Sequence, residues 1–477
     1  MTKRLSGTQK QQILEMLKLG ASRHVIADKL GVTPGQVSAV AAHLTMGTYT
    51  RPPEPAPGAG SSQFSPASRE AKAPGLPPSI PPASGIFVGL DTSDETPVYW
   101  NPASEEGSAN PHVLILGESG YGKTYATSCL LAELANSNVP SVIFDYGQGF
   151  SPETLDPVFR DQARPVHFEL SRDGIAINPL EIFPVDIHGP ATVAQRIADT
   201  FARVYPRIGV QQHAAIRRAV LEVLADSGIK QHDRATWGAR PPHFRNVERK
   251  LADLAEQPAS PVRRVALAAA SHISTLFVFD TFRSTGRKLS WNDLIGPQEA
   301  HTWILQLGGL ESSVERTVTE FLLWNLIRFV EARGPGKLRC FVVLDEAHKM
   351  SFSPGSPVEK LLREGRKFGL GLILASQQPE DFSPVAFANT ATKIVFQVSD
   401  ERGVISRKLS RKTKNREIGL AAADVITKLP RGSAYVVTEN AGRIVTISSF
   451  EQRLARWSRP ELRQFALSRT KEAQEDA

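Results

Sequence analysis

The eight-residue stretch GESGYGKT constrains the fold of this 477-residue chain more than any other feature. It matches the pattern GxxxxGK[ST] in full and lies between an apolar segment, 112–116, and a segment that favours a helix. In such a loop, glycines let backbone N–H groups wrap around phosphate oxygens, the lysine reaches the β- and γ-phosphates, and the threonine hydroxyl ligates Mg²⁺. The predicted nucleotide-binding residues are Gly117, Glu118, Ser119, Gly120, Tyr121, Gly122, Lys123 and Thr124.

A second apolar segment, FVVLDE at 341–346, ends in two acids. In enzymes that hydrolyse nucleoside triphosphates, the first acid of such a strand end holds Mg²⁺ through water, and the second orients or deprotonates the attacking water. We therefore predict Asp345 and Thr124 as metal ligands, and Glu346 and Lys123 as catalytic residues. The cofactors predicted by the two motifs together are ATP and Mg²⁺.

The letters DEAH at 345–348 also define a class of helicases, but two features argue against that class. Lys123 and Asp345 are 222 residues apart, much farther than in those helicases, and no QxxGRxGR-like arginine string follows residue 348. His348 is therefore interpreted as a local residue at a helix start, and its replacement is expected to matter little.

From Gly85 onward, short apolar strands alternate with helices, which predicts an α/β domain with a mostly parallel sheet covered on both faces. The domain is predicted to span 85–450, with a helical insertion at about 185–300 and a charged C-terminal tail at 451–477. The predicted strands are 112–116, 141–145, 302–307, 340–345, 371–376 and 393–398, with 433–437 and 443–447 as a closing hairpin.

Residues 1–48 are predicted to form a small all-α module. Its three helical segments, with Gly31 at a turn and Pro34 at the first position of a helix, resemble a helix-turn-helix. The third helix, 33–46, carries no Lys or Arg, so DNA contact and protein docking both stay open as roles. Residues 49–84 are predicted to be a flexible linker, because ten prolines within positions 51–84 leave no means of burying a core.

The amino-acid composition indicates the kind of partner and the cellular compartment to expect. A net charge of +7 favours an anionic partner, of which nucleic acid is the commonest. Two cysteines, both within apolar segments, argue against a disulfide framework or a zinc site and fit a reducing cytosol. Because we find neither a signal peptide nor an apolar run long enough for a membrane span, we expect a cytoplasmic protein.

The order of motifs resembles that of the HerA/FtsK superfamily of ring-forming, DNA-pumping ATPases, and the HerA type most closely. The segments that carry this resemblance are NPHVLILGESGYGKT, VIFDYGQGF, INPLEIF, REGRKFGLGLILASQQPEDFS and LPRGSAYVV. It covers about residues 85–450 and implies a RecA-like P-loop ATPase core. The chain departs from the family at Gln148, where Glu is frequent, and we expect the β-barrel of many HerA proteins to be missing before residue 85.

The resemblance also implies roles for single residues. Asp145 matches the acid that ends the family's second strand, which implies a part in nucleotide binding, and Gln377 matches the polar catalytic residue that senses the γ-phosphate. A ring ATPase needs an arginine from a neighbouring subunit. Arg366 matches the family's arginine in the RKxG block, with Arg363 and Arg402 as alternatives.

The segment 402–416 holds seven basic residues and no acid. Such a run is either a solvated basic face or, in a ring, a loop that follows the phosphates of DNA in the pore. The sequence leaves both possibilities open.

The implied function is an ATP-dependent double-stranded DNA translocase that works as a homohexamer with a nuclease or other effector partner, in DNA processing or anti-phage defence. Two alternatives remain. The first is a motor for conjugation or type IV secretion, which shares the core motifs. The second is an ATP-controlled switch that binds DNA through the helix-turn-helix-like module.

Overall fold

The structure is a computed structural model that describes residues 85–102, 110–256, 262–283, 288–296, 301–399, 403–410, 424–438 and 441–457, together with a few single positions. The chain divides into two compact units, Met1–Ala73 and Pro74–Ala477. The predicted helix-turn-helix-like module and the proline-rich linker lie outside the described residues, apart from isolated positions in the module. The predicted α/β domain belongs to the second unit.

The strands of the second unit are short, and the central ones are fully buried. They are β1 (Ile86–Asp91), β2 (Pro97–Trp100), β3 (Val113–Leu116), β4 (Ser141–Asp145), β5 (Val166–Glu169), β6 (Thr302–Gln306), β7 (Cys340–Leu344), β8 (Leu370–Ser376), β9 (Thr392–Val395), β10 (Ser433–Val437) and β11 (Gly442–Ile447).

Helices connect most of these strands. They are α1 (Lys123–Asn136), α2 (Pro157–Ala163), α3 (Leu170–Asp173), α4 (Pro190–Val204), α5 (Val210–Asp226), α6 (Asn246–Glu256), α7 (Arg263–Phe279), α8 (Trp291–Ile295), α9 (Ser312–Ala332), α10 (Pro357–Glu364), α11 (Pro384–Asn389), α12 (Val404–Ser410) and α13 (Phe450–Trp457). Helices α4 to α8 occupy the stretch in which the helical insertion was predicted. None of the helices in the described ranges is long and apolar enough to cross a bilayer.

Within the described residues, the strands form one sheet in the order β2-β1-β11-β10-β9-β3-β8-β7-β4-β6-β5. The seven strands from β9 to β5 are parallel to one another, whereas β10, β11, β1 and β2 extend the sheet by antiparallel pairing. The prediction of a mostly parallel sheet with a closing hairpin is therefore confirmed. Strands β1, β2 and β5 were not predicted.

Two apolar layers cover the central strands. On β7, Val342 and Leu344 belong to the layer that also contains residues of α4 to α10, while Phe341 and Val343 belong to the layer formed with α1, α2 and α13. Because successive side chains of a strand point to opposite faces, a strand between two layers must be apolar throughout. This arrangement explains why CFVVL was recognisable as a strand from its sequence.

The predicted boundary at residue 450 is placed too early. Helix α13 packs on the domain, and its Arg453 is fully buried. The Arg453 guanidinium donates to the carbonyl oxygens of Phe87 (2.6 Å) and Val88 (2.7 Å) on β1 and to Glu133 on α1 (3.0 Å). The segment predicted as a charged C-terminal tail thus includes an arginine that joins α13 to β1 and α1.

Candidate nucleotide-binding site

Four adjacent parallel strands bring the predicted site residues to one edge of the sheet. Leu116 of β3 is paired with Ser376 of β8, and Leu344 of β7 is paired with Leu374 of β8 and Phe144 of β4. The phosphate loop, the acidic pair, Gln377 and Asp145 lie at the carboxyl ends of these strands. This edge is where open α/β sheets bind ligands, because the loops that follow the strands converge there.

The phosphate loop has a backbone that only glycine permits at two positions. A Cβ atom on Gly117 would lie 2.5 Å from Cβ of Phe396, so the loop could not pass this neighbour with a side chain there. Gly122 has φ 113° and immediately precedes α1, which begins at Lys123. The loop therefore presents its N–H groups at the N-terminus of a 14-residue helix, where the helix dipole favours an anion.

Contacts from distant parts of the chain hold the loop. The backbone N–H of Glu118 donates to the Gln397 carbonyl (2.8 Å), and its carboxylate accepts from the N–H of Ser399 (2.9 Å). Arg431 Nε donates to the Gly120 carbonyl (2.7 Å). Sequence reasoning missed Arg431, although this residue lies in the LPRGSAYVV segment that carried part of the family resemblance.

Lys123 lies between the loop and the acidic strand end. Its Nζ donates to the Glu118 carbonyl oxygen at 3.0 Å. Burial lowers the pKa of Lys123, while the negative charges of Glu346, Asp345 and Glu118 act in the opposite direction. An ammonium group held among these partners is placed to bind phosphate oxygens delivered to the loop.

Thr124 and Asp345, the predicted metal ligands, line the same small space. A Cβ atom on Gly149 would lie 3.2 Å from Cγ2 of Thr124 and 3.5 Å from Oδ2 of Asp345, so the backbone of Gly149 is packed beside both side chains. Burial, the largest cause, and the nearby charges of Asp145 and Glu346 together raise the pKa of Asp345 to about 7, against the effect of Lys123. A buried carboxylate among other acids fits a bound divalent cation, and the residues present therefore suit Mg²⁺ with a nucleotide.

Asp145 stabilises the turn that follows β4 next to the site. It is 1% exposed, and its two carboxylate oxygens accept from the N–H groups of Gly147 (3.2 Å) and Phe150 (3.1 Å). Burial raises the pKa of Asp145, and these hydrogen bonds oppose the rise. Its carboxylate thus holds the turn that places Gly149 beside Thr124, and the part of Asp145 in nucleotide binding stays a prediction.

The predicted catalytic acid and the predicted phosphate sensor are in contact. Gln377 Nε2 donates to Oε1 of Glu346 at 3.2 Å. Glu346 has a left-handed backbone, with φ 62°, a conformation uncommon outside glycine and frequent at functional sites. His348 lies in the short helix Ala347–Lys349, as expected, and its Nδ1 is 3.2 Å from Oε2 of Glu346.

Arg366 lies at the opposite edge of the sheet from its own phosphate loop. It belongs to the turn Gly365–Phe368, just before β8, and is exposed. His112, which immediately precedes β3, has a pKa lowered to about 4. Burial is the larger cause, and the positive charge of Arg366 is the second. Of the alternatives, Arg363 is ion-paired with Glu359, and Arg402 lies outside the described residues.

The described part of the basic run is helix α12. Its Lys408 Nζ donates to the carbonyl oxygens of Pro379 (2.7 Å) and Phe382 (2.9 Å), and burial lowers the pKa of this lysine. Lys408 therefore forms its hydrogen bonds within the domain. In this structure it is neither a solvated residue nor a contact for DNA phosphates. Arg407, the other basic residue of this helix, is exposed.

A family model described as "Helicase HerA, central domain" matches residues 90–326, which include the phosphate loop, Asp145 and the helical insertion. Over these residues the chain is HerA-like, because its sequence matches the central domain of the helicase HerA. The HerA-like chain is 23% identical over 417 residues to the DNA double-strand break repair helicase HerA of Sulfurisphaera tokodaii. The match covers 79% of this chain and 76% of that relative.

Solved structures confirm the predicted RecA-like P-loop fold of the HerA-like domain. VirB4 of Thermoanaerobacter pseudethanolicus superposes with a TM-score of 0.61 at 18% identity, covering 77% of this chain and 96% of VirB4. The bacterial conjugative coupling protein TrwBdeltaN70 gives a TM-score of 0.52 at 16% identity, covering 76% of this chain and 89% of that chain. At these identities the likeness establishes the fold alone.

Proposed function

We propose that this chain is an ATP-hydrolysing motor that translocates double-stranded DNA, and that ATP and Mg²⁺ bind at the carboxyl edge of the sheet. The observation that carries the proposal is the meeting, at this edge, of a complete phosphate loop with Asp345, Glu346 and Gln377. The DNA repair helicase named among its relatives and the net charge of +7 support DNA as the partner.

In the proposed mechanism each residue of the site has a part in hydrolysis. The loop N–H groups and Lys123 bind the phosphates, and the Thr124 hydroxyl and the Asp345 carboxylate hold Mg²⁺. When bound, Mg²⁺ neutralises charge on the phosphate oxygens. Glu346 accepts the proton of the attacking water, and Gln377 fixes the orientation of its carboxylate.

The position of Arg366 supports action as a ring. A head-to-tail ring joins two different faces of the subunit, so that a residue at one edge of a subunit meets the opposite edge of its neighbour. Arg366 is exposed at the edge opposite its own loop and would stabilise transition-state charge in the adjacent subunit. The proposed assembly is a cytoplasmic homohexamer that acts with a nuclease or other effector protein in DNA processing or anti-phage defence.

The proposal is tested by measuring ATP hydrolysis with and without duplex DNA in the wild type, Lys123→Ala and Lys230→Ala. Lys230 is an exposed lysine of the helical insertion and serves as the matched control. We expect hydrolysis that DNA stimulates in the wild type and the control, and none in Lys123→Ala. A wild type without ATPase activity, or a Lys123→Ala variant with undiminished activity, would exclude the proposed motor.

Two further experiments separate the alternative functions. A conjugation or secretion motor would co-purify with a membrane complex from its host. A DNA-binding switch would lose sequence-specific DNA binding when residues 1–50 are deleted, whereas a translocase would keep DNA-stimulated hydrolysis after the same deletion.

A further inference from the structure

His348 lies at a junction between the acidic strand end and the end of the neighbouring strand. Its Nδ1 is 3.2 Å from Oε2 of Glu346 and 3.2 Å from Oγ of Ser376, the last residue of β8. His348 itself is in the turn Ala347–Lys349. One ring nitrogen therefore touches both the catalytic carboxylate and the residue that precedes Gln377.

The hydrogen-bond chemistry assigns the proton in this junction. Ser376 is 1% exposed, and its hydroxyl donates to Oδ2 of Asp381 at 2.5 Å, where the carboxylate can only accept. The Ser376 oxygen is then left to accept, as is the Glu346 carboxylate. Because both neighbours of His348 Nδ1 are acceptors, this nitrogen carries the hydrogen.

Asp381, at the other end of this series of contacts, lies in a turn that is held by further hydrogen bonds. Asp381 Oδ2 also accepts from the N–H of Gln378 (3.1 Å), which closes the turn after β8. The carbonyl oxygens of Pro379 and Phe382, on either side of Asp381, accept from Lys408 of α12. Ser376 is thus held in place by a turn that is fixed on two sides.

We propose that His348 is a positioning residue for the hydrolytic step, because its Nδ1–H links the Glu346 carboxylate to the Ser376–Asp381 pair. Gln377 contacts Oε1 of Glu346 and His348 contacts Oε2, so the carboxylate is held from both ends. Two constraints of this kind restrict the rotation of a carboxylate that must face an attacking water. The inference rests on the proposed function, since it assigns a part in ATP hydrolysis.

The test compares three replacements of His348 by steady-state ATP hydrolysis with duplex DNA present. His348→Ala removes the link and should lower kcat about tenfold or more, with KM for ATP changed less than about twofold. His348→Asn places an amide N–H close to the position of Nδ1 and should retain most of the activity. His348→Gln places its amide one bond farther away and should behave like His348→Ala.

A double-mutant cycle tests the link to Asp381. If His348 acts through the Ser376–Asp381 pair, the kcat of His348→Ala/Asp381→Ala should be close to that of His348→Ala alone. Glu380→Ala, at the exposed acid beside Asp381, serves as the matched control and should leave kcat unchanged. Circular dichroism of each variant verifies that the fold is retained.

The outcomes distinguish this inference from the proposed function. A wild type that hydrolyses no ATP overturns both. If the wild type is active, three results overturn the inference alone. They are a His348→Ala variant with at least half of the wild-type kcat, equal kcat values for His348→Asn and His348→Gln, and a double variant whose loss of kcat is the product of the losses in His348→Ala and Asp381→Ala.

Discussion

The side-chain amide of Gln377 donates a hydrogen bond to the carboxylate of Glu346, with Nε2 and Oε1 3.2 Å apart, although 31 positions separate the two residues in the chain. The bond exists because β7 and β8 are adjacent parallel strands, so that the residues following them meet. It joins the residue predicted to activate water to the residue predicted to sense the γ-phosphate.

This contact predicts that Gln377 affects the rate of hydrolysis more than nucleotide binding. Gln377→Ala should lower kcat about tenfold to a hundredfold with a smaller change in KM, because Glu346 loses an orienting donor. Gln377→Glu should be more severe, since it places a like charge against Glu346. Glu380→Ala, at an exposed acid nearby in the chain, is the control; equal effects at 377 and 380 would refute the assigned contact.

Arg431 should contribute to nucleotide affinity through the phosphate loop. Its Nε donates to the Gly120 carbonyl, and losing an exposed hydrogen bond of this kind costs about 0.5–1.5 kcal/mol. Arg431→Ala should therefore raise the Kd for an ATP analogue about threefold to tenfold, measured by titration calorimetry. Arg443→Ala, at an exposed arginine of β11, should bind as the wild type does, and an unaffected Arg431→Ala variant would contradict this role.

A mixing experiment tests whether Arg366 acts in a neighbouring subunit. Arg366→Ala keeps a complete phosphate site but lacks the proposed arginine, whereas Lys123→Ala keeps the arginine but lacks the site. Each variant alone should be inactive, and their mixture should regain a measurable part of the wild-type ATPase activity. A mixture as inactive as its components would show that Arg366 does not act across subunits.

Arg453 should be one of the largest single contributors to the stability of the domain. Arg453→Met leaves Glu133 buried without its partner, which should lower the free energy of unfolding by about 3–5 kcal/mol. Arg218→Met breaks an ion pair with Glu222 in which the arginine side chain is 51% exposed, and it should cost less than about 1 kcal/mol. Urea denaturation compares the two, and equal losses would contradict the structural assignment.

His112 should make the domain less stable in mild acid. Its pKa is about 4 in the folded chain, against an ordinary value of 6.5, so between these values the unfolded chain binds more protons. Acidification from pH 7.5 to pH 5 should therefore cost about 2 kcal/mol at this residue. His112→Leu should reduce the pH dependence of urea unfolding by that amount, and an unchanged dependence would exclude the effect.

The sequence by itself determined those features that depend only on residues close together in the chain. The loop pattern GxxxxGK[ST], the apolar strands around it and the acids at the end of β7 are each encoded within a few consecutive residues. A short apolar run can be recognised as a buried strand because both of its faces must be covered. With the family resemblance, these patterns also predicted Gln377 as the residue that senses the γ-phosphate.

Only the tertiary structure revealed the contacts between distant segments. Arg431 reaches Gly120 across 311 positions, and Arg453 reaches Glu133 across 320. His348 looked like an ordinary helix-start residue until strand pairing placed Ser376 beside it. The partners of a side chain depend on which strands become neighbours. Strand order depends on the packing of the whole sheet, and it leaves no recognisable pattern in the residues next to that side chain in the sequence.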